Sequence, residues 1–179
     1  MNKIVIGTKE NPVRFSYANV HQPVSVNGSD LKYSVSIIIP KSDKKTIKKV
    51  NDAIQKVKQE NKDKFGGKIP ANLKTPLRDG DVDREGDEAY ANAYFINANS
   101  KIKPGIVDAD LNPILDQSEF YSGCFGRVSI TLYPFNVNGN RGIAAGLQNI
   151  MKTEDGEPLG GRSSAENDFS DEDDDDVLG

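Results

Sequence analysis

The chain has 179 residues, of which 36% are hydrophobic and 28% charged, and its formal net charge is -4. This composition is typical of one globular domain with accessory segments. An apolar run of about 18 residues is absent, and the start, "MNKIVIGTKENPVRF", is too weakly apolar for a signal peptide. A single cysteine, Cys124, excludes an internal disulfide framework, so we expect a soluble protein of a reducing cytoplasm.

Residues 13–39 predict two antiparallel strands. In "LKYSVSIII" (31–39) the odd positions are apolar and most even positions polar, which predicts one buried and one solvated face. Residues 13–17 alternate in the same way, which favours Phe15 and Tyr33 as core residues. The intervening Asn27-Gly28 is a hairpin signal.

A helix is predicted after Pro40. Ser42 or Asp43 can cap its N-terminus, and Gly66-Gly67 with Pro70 ends it. One apolar stripe runs along it, formed by Ile47, Val50, Ile54 and Val57. Residues 41–68 also carry ten lysines and four acids. These lysines fit either a solvated face or a DNA-facing one.

The rest of the chain predicts a long polar loop over 66–89 and strands over 90–99 and 119–137. Asn138-Gly139 then turns the last strand into another. We therefore expect a mainly β (α+β) domain, an OB-like antiparallel β-barrel with one inserted helix. The domain is predicted to span 1–152, and a disordered, flexible acidic tail to span 153–179.

Residues that could support catalysis are sparse. His21 and Cys124 lie at opposite ends of the predicted domain, and a buried cysteine acting as a small apolar residue is favoured over a catalytic pair. Two such residues cannot supply the four ligands of a structural zinc site, and a phosphate-binding glycine loop is absent. We expect no catalytic residue, no metal and no cofactor.

The acidic loop is the one remaining candidate for metal chemistry. Asp81, Asp83, Glu85 and Gly86 match the start of a calcium loop, but Asn92 stands where a bidentate glutamate is expected. A solvated loop is favoured. A metal-dependent nuclease that uses residues 79–88 stays an alternative.

The strand over 125–135 has two different faces. Its even positions are small or aliphatic, whereas its odd positions interleave aromatic, hydroxyl and arginine side chains. Single-stranded nucleic acid is bound by such a mixture, because bases stack on aromatic rings and cations contact phosphates. The alternative is that Tyr133 and Phe135 cover a second small core. Tyr17, Tyr90, Tyr94 and Tyr121 fit either environment.

Several strings resemble, in this order, a phage and prophage family that was first a domain of unknown function and then recognised as single-stranded DNA-binding proteins. They are "FSYANVHQP", "YSVSIIIPKSD", "LRDGD", "AYFINANS", "KPGIVD", "EFYSGCFGRVSITLYPFN" and "NGNRGIAAGLQNIMKTEDGEPLGGR". The resemblance covers about residues 10–165. It implies an OB fold, sequence-independent binding of single-stranded DNA, a role in phage DNA replication or recombination, and the host-cell cytoplasm as location.

Candidate DNA contacts lie within the matched segment. The predicted stacking residues are Phe125, Tyr133 and Phe135. The predicted phosphate contacts are Arg127, Lys32, Arg141, Lys41, Lys44 and Lys45. Arg14, Arg78 and Tyr94 complete the set.

The C-terminus is the second functional candidate. Residues 163–179 carry eight acidic side chains and no basic one, which leaves 23 basic against 19 acidic residues in the rest of the chain. The predicted partner-binding residues are Asp168, Phe169, Asp171, Glu172, Asp173, Asp174, Asp175 and Asp176.

We expect this tail to compete with DNA for the basic groove and to recruit a polymerase, helicase or recombinase. This tail ends in Val-Leu-Gly rather than in an aromatic residue or in the Pro-Phe of bacterial relatives, so its partner is left open. A homodimer is also left open. The alternative function is an interaction or assembly module that works through the tail.

Overall fold

The computed structural model describes residues 2–25 and 28–159. Its strands are β1 (Asn2–Ile6), β2 (Val13–Val24), β3 (Lys32–Pro40), β4 (Leu77–Asp79), β5 (Ala93–Ser100), β6 (Gly105–Val107), β7 (Phe125–Val137) and β8 (Asn140–Glu154). Its helices are α1 (Lys44–Glu60) and the one-turn α2 (Gly80–Asp83). Neither helix in the described part is long and apolar enough to cross a membrane.

The sheet closes on itself as a barrel. Its strands pair in the order β2, β3, β5, β8, β7 and back to β2, with β5 and β8 parallel and the other pairs antiparallel. The closing β2–β7 pair has only two register positions, Val13 with Gly126 and Arg14 with Phe125. This closed five-stranded barrel is the OB architecture and confirms the predicted fold class.

The core lies inside the barrel and under α1. Apolar side chains from the strands point inward, and the buried stripe of Val50, Ile54 and Val57 on α1 packs against them. Asp43 caps the helix by accepting a hydrogen bond from the Thr46 backbone N–H at 3.2 Å. The predicted helix, its cap and the inward-facing even positions of β7 are therefore confirmed.

Two local predictions are wrong. Residues 66–89 are not one loop, because they contain β4 and α2, and the next strand begins at Ala93 rather than Tyr90. The outer face of β3 is not wholly solvated either. Ser36 and Ile38 are buried there by a second cluster formed by Ile38, Tyr90, Ala93 and Phe95. We call residues 80–91, which cover this part of the barrel, the cap.

The physical reason is a buried tyrosine. The ring of Tyr90 is fully buried, and its hydroxyl donates a hydrogen bond to Ser36 Oγ at 2.8 Å. This contact satisfies two polar groups that would otherwise be costly to bury. A local polar pattern cannot show that a distant tyrosine will cover it.

The chain continues in ordered contacts after β8. The Leu159 backbone N–H donates to the Ser122 carbonyl at 2.9 Å, and its side chain packs on the second cluster. The chain therefore stays packed on the domain as far as Leu159. The boundary at 152 and the flexible tail stay predictions.

Candidate nucleic-acid interface

The outer face of the barrel beyond the cap is a polar groove. Its floor follows one register row that crosses all five barrel strands: Asn19, Ser34, Asn99, Gly146 and Thr131. These residues are small or carry short amides and hydroxyls. In OB folds the corresponding face of the second and third strands, here β3 and β5, is where oligonucleotides bind.

One end of the groove is aromatic. Tyr133 is paired with Ala144 and Phe135 with Gly142 across β7 and β8. Tyr133 is 43% exposed, so its ring is available to a ligand, while Phe135 is half-buried. A Cβ added to Gly142 would lie 2.8 Å from the Phe135 ring, which shows that the ring lies directly on the glycine backbone.

Basic side chains line the groove on its cap side. A cleft of about 460 Å³ is bordered by Lys74, Arg78, Asn97, Asn99 and Phe135. The Arg78 guanidinium lies 5.2 Å from the centre of the Phe95 ring and pairs with Asp83 at 3.1 Å. Hydrogen-bonding amides, an aromatic ring and cations therefore meet in one cleft.

The structure places Arg14 and Phe125 outside this groove. The Arg14 guanidinium lies 5.3 Å from the Phe125 ring centre and donates to the carbonyls of Gly123 and Glu157. These contacts fix the segment that follows β8. Phe125 is eight residues from Tyr133 on one strand, about 26 Å when extended. Arg14 and Phe125 remain predicted DNA contacts, but they do not share a surface with Tyr133.

Three other predicted DNA contacts form hydrogen bonds or ion pairs within the protein. Arg127 donates to the Gly7 carbonyl and Arg141 to the Phe65 carbonyl, each at 3.1 Å. Lys41 pairs with Asp79 at 2.8 Å and Asp81 at 2.7 Å.

Lys41 also links the predicted residue Tyr94 to the acidic loop. Its ammonium lies 5.1 Å from the Tyr94 ring centre. Hydrogen bonds to Asp79 and then Asp81 raise the pKa of Lys41, and the bond from Lys41 lowers the pKa of Asp81. These carboxylates hold the Lys41 ammonium beside the Tyr94 ring, and both residues remain predicted DNA contacts.

The remaining predicted lysines are accessible. Lys44 and Lys45 are exposed on the first turn of α1, and Lys32 is half-exposed at the start of β3, two residues before the floor residue Ser34. Of these, Lys32 lies nearest in sequence to the groove. The predicted tail residues 168–176 lie outside the described residues.

The acidic loop is occupied by structural contacts. Asp79 accepts the backbone N–H of Asp81, Asp81 accepts that of Asn92, and Asp87 accepts that of Ala89. Within 2–25 and 28–159, no group of three or more His, Cys, Asp or Glu side chains is placed to hold a metal ion. The carboxylates of this loop therefore fold the cap.

Cys124 and His21 each make structural contacts within the described part of the chain. Cys124 is fully buried, and burial raises the pKa of its thiol, as predicted for a small core residue. His21 Nε2 lies 2.9 Å from the Phe120 carbonyl.

Sequence reasoning did not identify the amides of Asn97 and Asn99 or the side chain of Lys74 as groove residues. Asn97 and Asn99 alternate with the buried Ile96 and Ala98, so the alternation in "FINAN" could have identified an outward polar pair. Lys74 gave no such signal. It reaches the groove because its backbone bridges to Gly142 on β8.

Comparison with known proteins decides the family. The family model described as "Enterobacter phage Enc34, ssDNA-binding protein" matches residues 2–178. The chain belongs to this family. The family, and with it the resemblance inferred from the sequence strings, is thereby confirmed.

Two relatives of this chain come from phages. Protein p50 of Acyrthosiphon pisum secondary endosymbiont phage 1 is 32% identical over 168 residues, covering 88% of this chain and 90% of that protein. The single-stranded DNA-binding protein of bacteriophage Enc34, solved in complex with ssDNA, is 25% identical with a TM-score of 0.77, covering 89% of this chain and 90% of that one.

A protein of lower sequence identity shares the same fold. The gp2.5 single-stranded DNA-binding protein of bacteriophage T7 has a TM-score of 0.59 at 15% identity, covering 95% of this chain and 93% of that one. At this identity the likeness shows the shared fold alone.

Proposed function

We propose that this chain binds single-stranded DNA without sequence preference along the groove, and that it acts by binding rather than by catalysis. The observation that carries the proposal is the polar row across β2, β3, β5, β8 and β7, half-exposed at Asn19, Ser34 and Asn99, with aromatic rings at one end and basic side chains beside it. Stacking on rings tolerates any base, because every base has a π-face. The relative solved with ssDNA supports the same ligand.

Salt dependence tests this proposal. Arg84 of the cap lies with its guanidinium 5.9 Å from the Phe95 ring centre, as Arg78 does at 5.2 Å. If Lys32, Lys74, Arg78 and Arg84 contact phosphates, the logarithm of the binding constant should fall with log salt at a slope of about -2.8, since each contact to a single strand contributes about -0.7. Affinity for a labelled oligo-dT should therefore drop about 50-fold between roughly 50 and 200 mM salt. Fluorescence anisotropy measures it. Absence of binding at the lower salt would contradict the proposal.

A charge-removing variant locates the contacts. Lys74→Gln should reduce the slope by about 0.7, as expected for one lost phosphate contact. Lys48→Gln is the matched control, because Lys48 is exposed on α1 and paired with Asp52. An equal loss in both variants would show non-specific attraction to the protein's charge.

We also propose that the acidic tail competes with DNA for this groove and, once displaced, binds replication or recombination proteins of the phage or its host. The separation of charge supports it, with eight acids and no base in residues 163–179. The position of Leu159 beside the cap also supports it, because the remaining chain starts near the groove.

Truncation tests the competition. A chain ending at Gly161 should bind oligo-dT more tightly than the full chain at low salt, and the difference should shrink as salt screens the carboxylates. Titration of both forms measures this. Equal affinity at low salt would exclude competition and leave the tail as an interaction segment only.

A further inference from the structure

The backbone of Tyr17 is held in an unfavourable conformation. Its φ is +46°, in the middle of β2, where the register with β3 shifts between Ser16 and Asn19. A bulky residue in the left-handed region is a rare outlier. Such strain persists only where the surrounding structure imposes it, and it concentrates at functional sites.

The strain presents an exposed ring with a cation behind it. Tyr17 is 52% exposed. The Arg84 guanidinium lies 4.8 Å from the centre of its ring and donates a hydrogen bond to its hydroxyl at 3.3 Å. Arg84 also lies over Tyr90 and Phe95. Among the described residues it has no carboxylate partner, unlike Arg78.

This pair lies at the β2 end of the groove floor. The Asn19 amide donates to the Tyr17 carbonyl and to Ser34 Oγ, which connects Tyr17 to the floor row. Along the floor row, four strand spacings separate Asn19 on β2 from Thr131 on β7, about 19 Å along the sheet. A cavity of about 460 Å³ borders the ring and is lined also by Asn19, Ser122 and Leu159. Its volume is within the range of small-ligand sites, about 300–1,000 Å³.

We propose that Tyr17 and Arg84 form a second base-stacking site, at the opposite end of the groove from Tyr133. A base stacks on the exposed face of Tyr17, while Arg84 holds the ring from behind and neutralises the adjacent phosphate. This inference rests on the proposed binding of single-stranded DNA. It implies that one strand crosses the whole floor from β7 to β2.

The variant Tyr17→Asn separates function from folding. Asparagine tolerates the left-handed conformation, so the substitution relieves the backbone strain as it removes the ring. We expect an unchanged or higher Tm with an affinity for a long oligo-dT about 5- to 150-fold weaker, the loss of one stacked base. A residue with only a structural function would lower Tm and leave the affinity of the folded protein unchanged.

Controls keep this site distinct from the groove as a whole. Tyr17→Phe retains the ring and should bind within about twofold of the native chain. Irradiation of a bromodeoxyuridine oligomer bound to the native chain should crosslink a peptide containing Tyr17. If Tyr17→Asn binds normally and no such crosslink forms, while Tyr133→Ala weakens binding, the second site is refuted and the proposed function stands. If the native chain binds no oligomer, the proposed function itself fails.

Discussion

Replacing Tyr133 and Phe135 together with alanine should weaken binding of single-stranded DNA by roughly 30-fold to 2 × 10⁴-fold at constant salt. Each stacked base contributes about 1–3 kcal/mol, and the two rings lie at the same end of the floor. The salt slope should not change, because neither ring contacts a phosphate. Anisotropy titrations at two or more salt concentrations measure both quantities.

The matched control replaces both rings with leucine. Leucine keeps apolar bulk over Gly142 and Ala144 but has no π-face, so it preserves packing and removes stacking. We expect the leucine variant to lose most of the affinity while its Tm stays near that of the native chain. Native affinity in the leucine variant would mean that the rings only pack. The groove would then need to bind DNA through its amides and cations.

The faces of the strands could be predicted because alternation is a local property. The inward positions of β7 and the apolar stripe of α1 are buried as their spacing requires. The aromatic end of the groove was identified on the same basis, since Tyr133 and Phe135 share the outer face of one strand. Local pattern therefore predicted both the barrel class and one end of the candidate site.

The extent of the site could not be predicted from one strand. Phe125 has the same outward parity as Tyr133, yet Arg14 and the segment after β8 surround it, and these lie far away in sequence. The cap poses the same difficulty. Its acidic residues suggested a solvated loop, but Asp87 caps a short helical turn and Asp83 pairs with Arg78, while the same segment places Arg84 over the Tyr17 ring. Only the closed barrel brings these residues together.

Strain at Tyr17 is also invisible to sequence pattern. Tyr17 continues the alternation of Val13 and Phe15, which allows either a core or a surface position for its ring. The shift in register after Ser16 instead turns the ring out to solvent. Bulges of this kind re-aim a side chain, and they recur next to functional sites.

Gly126→Ala should lower the free energy of unfolding by about 3 kcal/mol, since the added methyl overpacks a rigid site. Gly126 lies at the closing β2–β7 pair, opposite Val13. A Cβ there would collide with the Met151 carbonyl and lie close to the Lys152 Cα of β8. Both groups belong to the backbone, so neither can rotate away. For a domain of this size the loss corresponds to a Tm about 6–12 °C lower.

The matched control is Gly139→Asn, which also removes a glycine. Gly139 has a φ of +84° in the β7–β8 turn, but a Cβ there meets nothing within 4 Å, and asparagine tolerates the conformation. We expect its Tm to change by only a few degrees. Thermal unfolding of both variants distinguishes closure of the barrel from the general cost of losing a glycine. If the two variants unfolded at the same temperature, the contact between β2, β7 and β8 at Gly126 would not limit the stability of the barrel. The floor row from Asn19 to Thr131 runs through the other four strand pairs, so this variant tests the closure of the barrel and not the continuity of the groove floor.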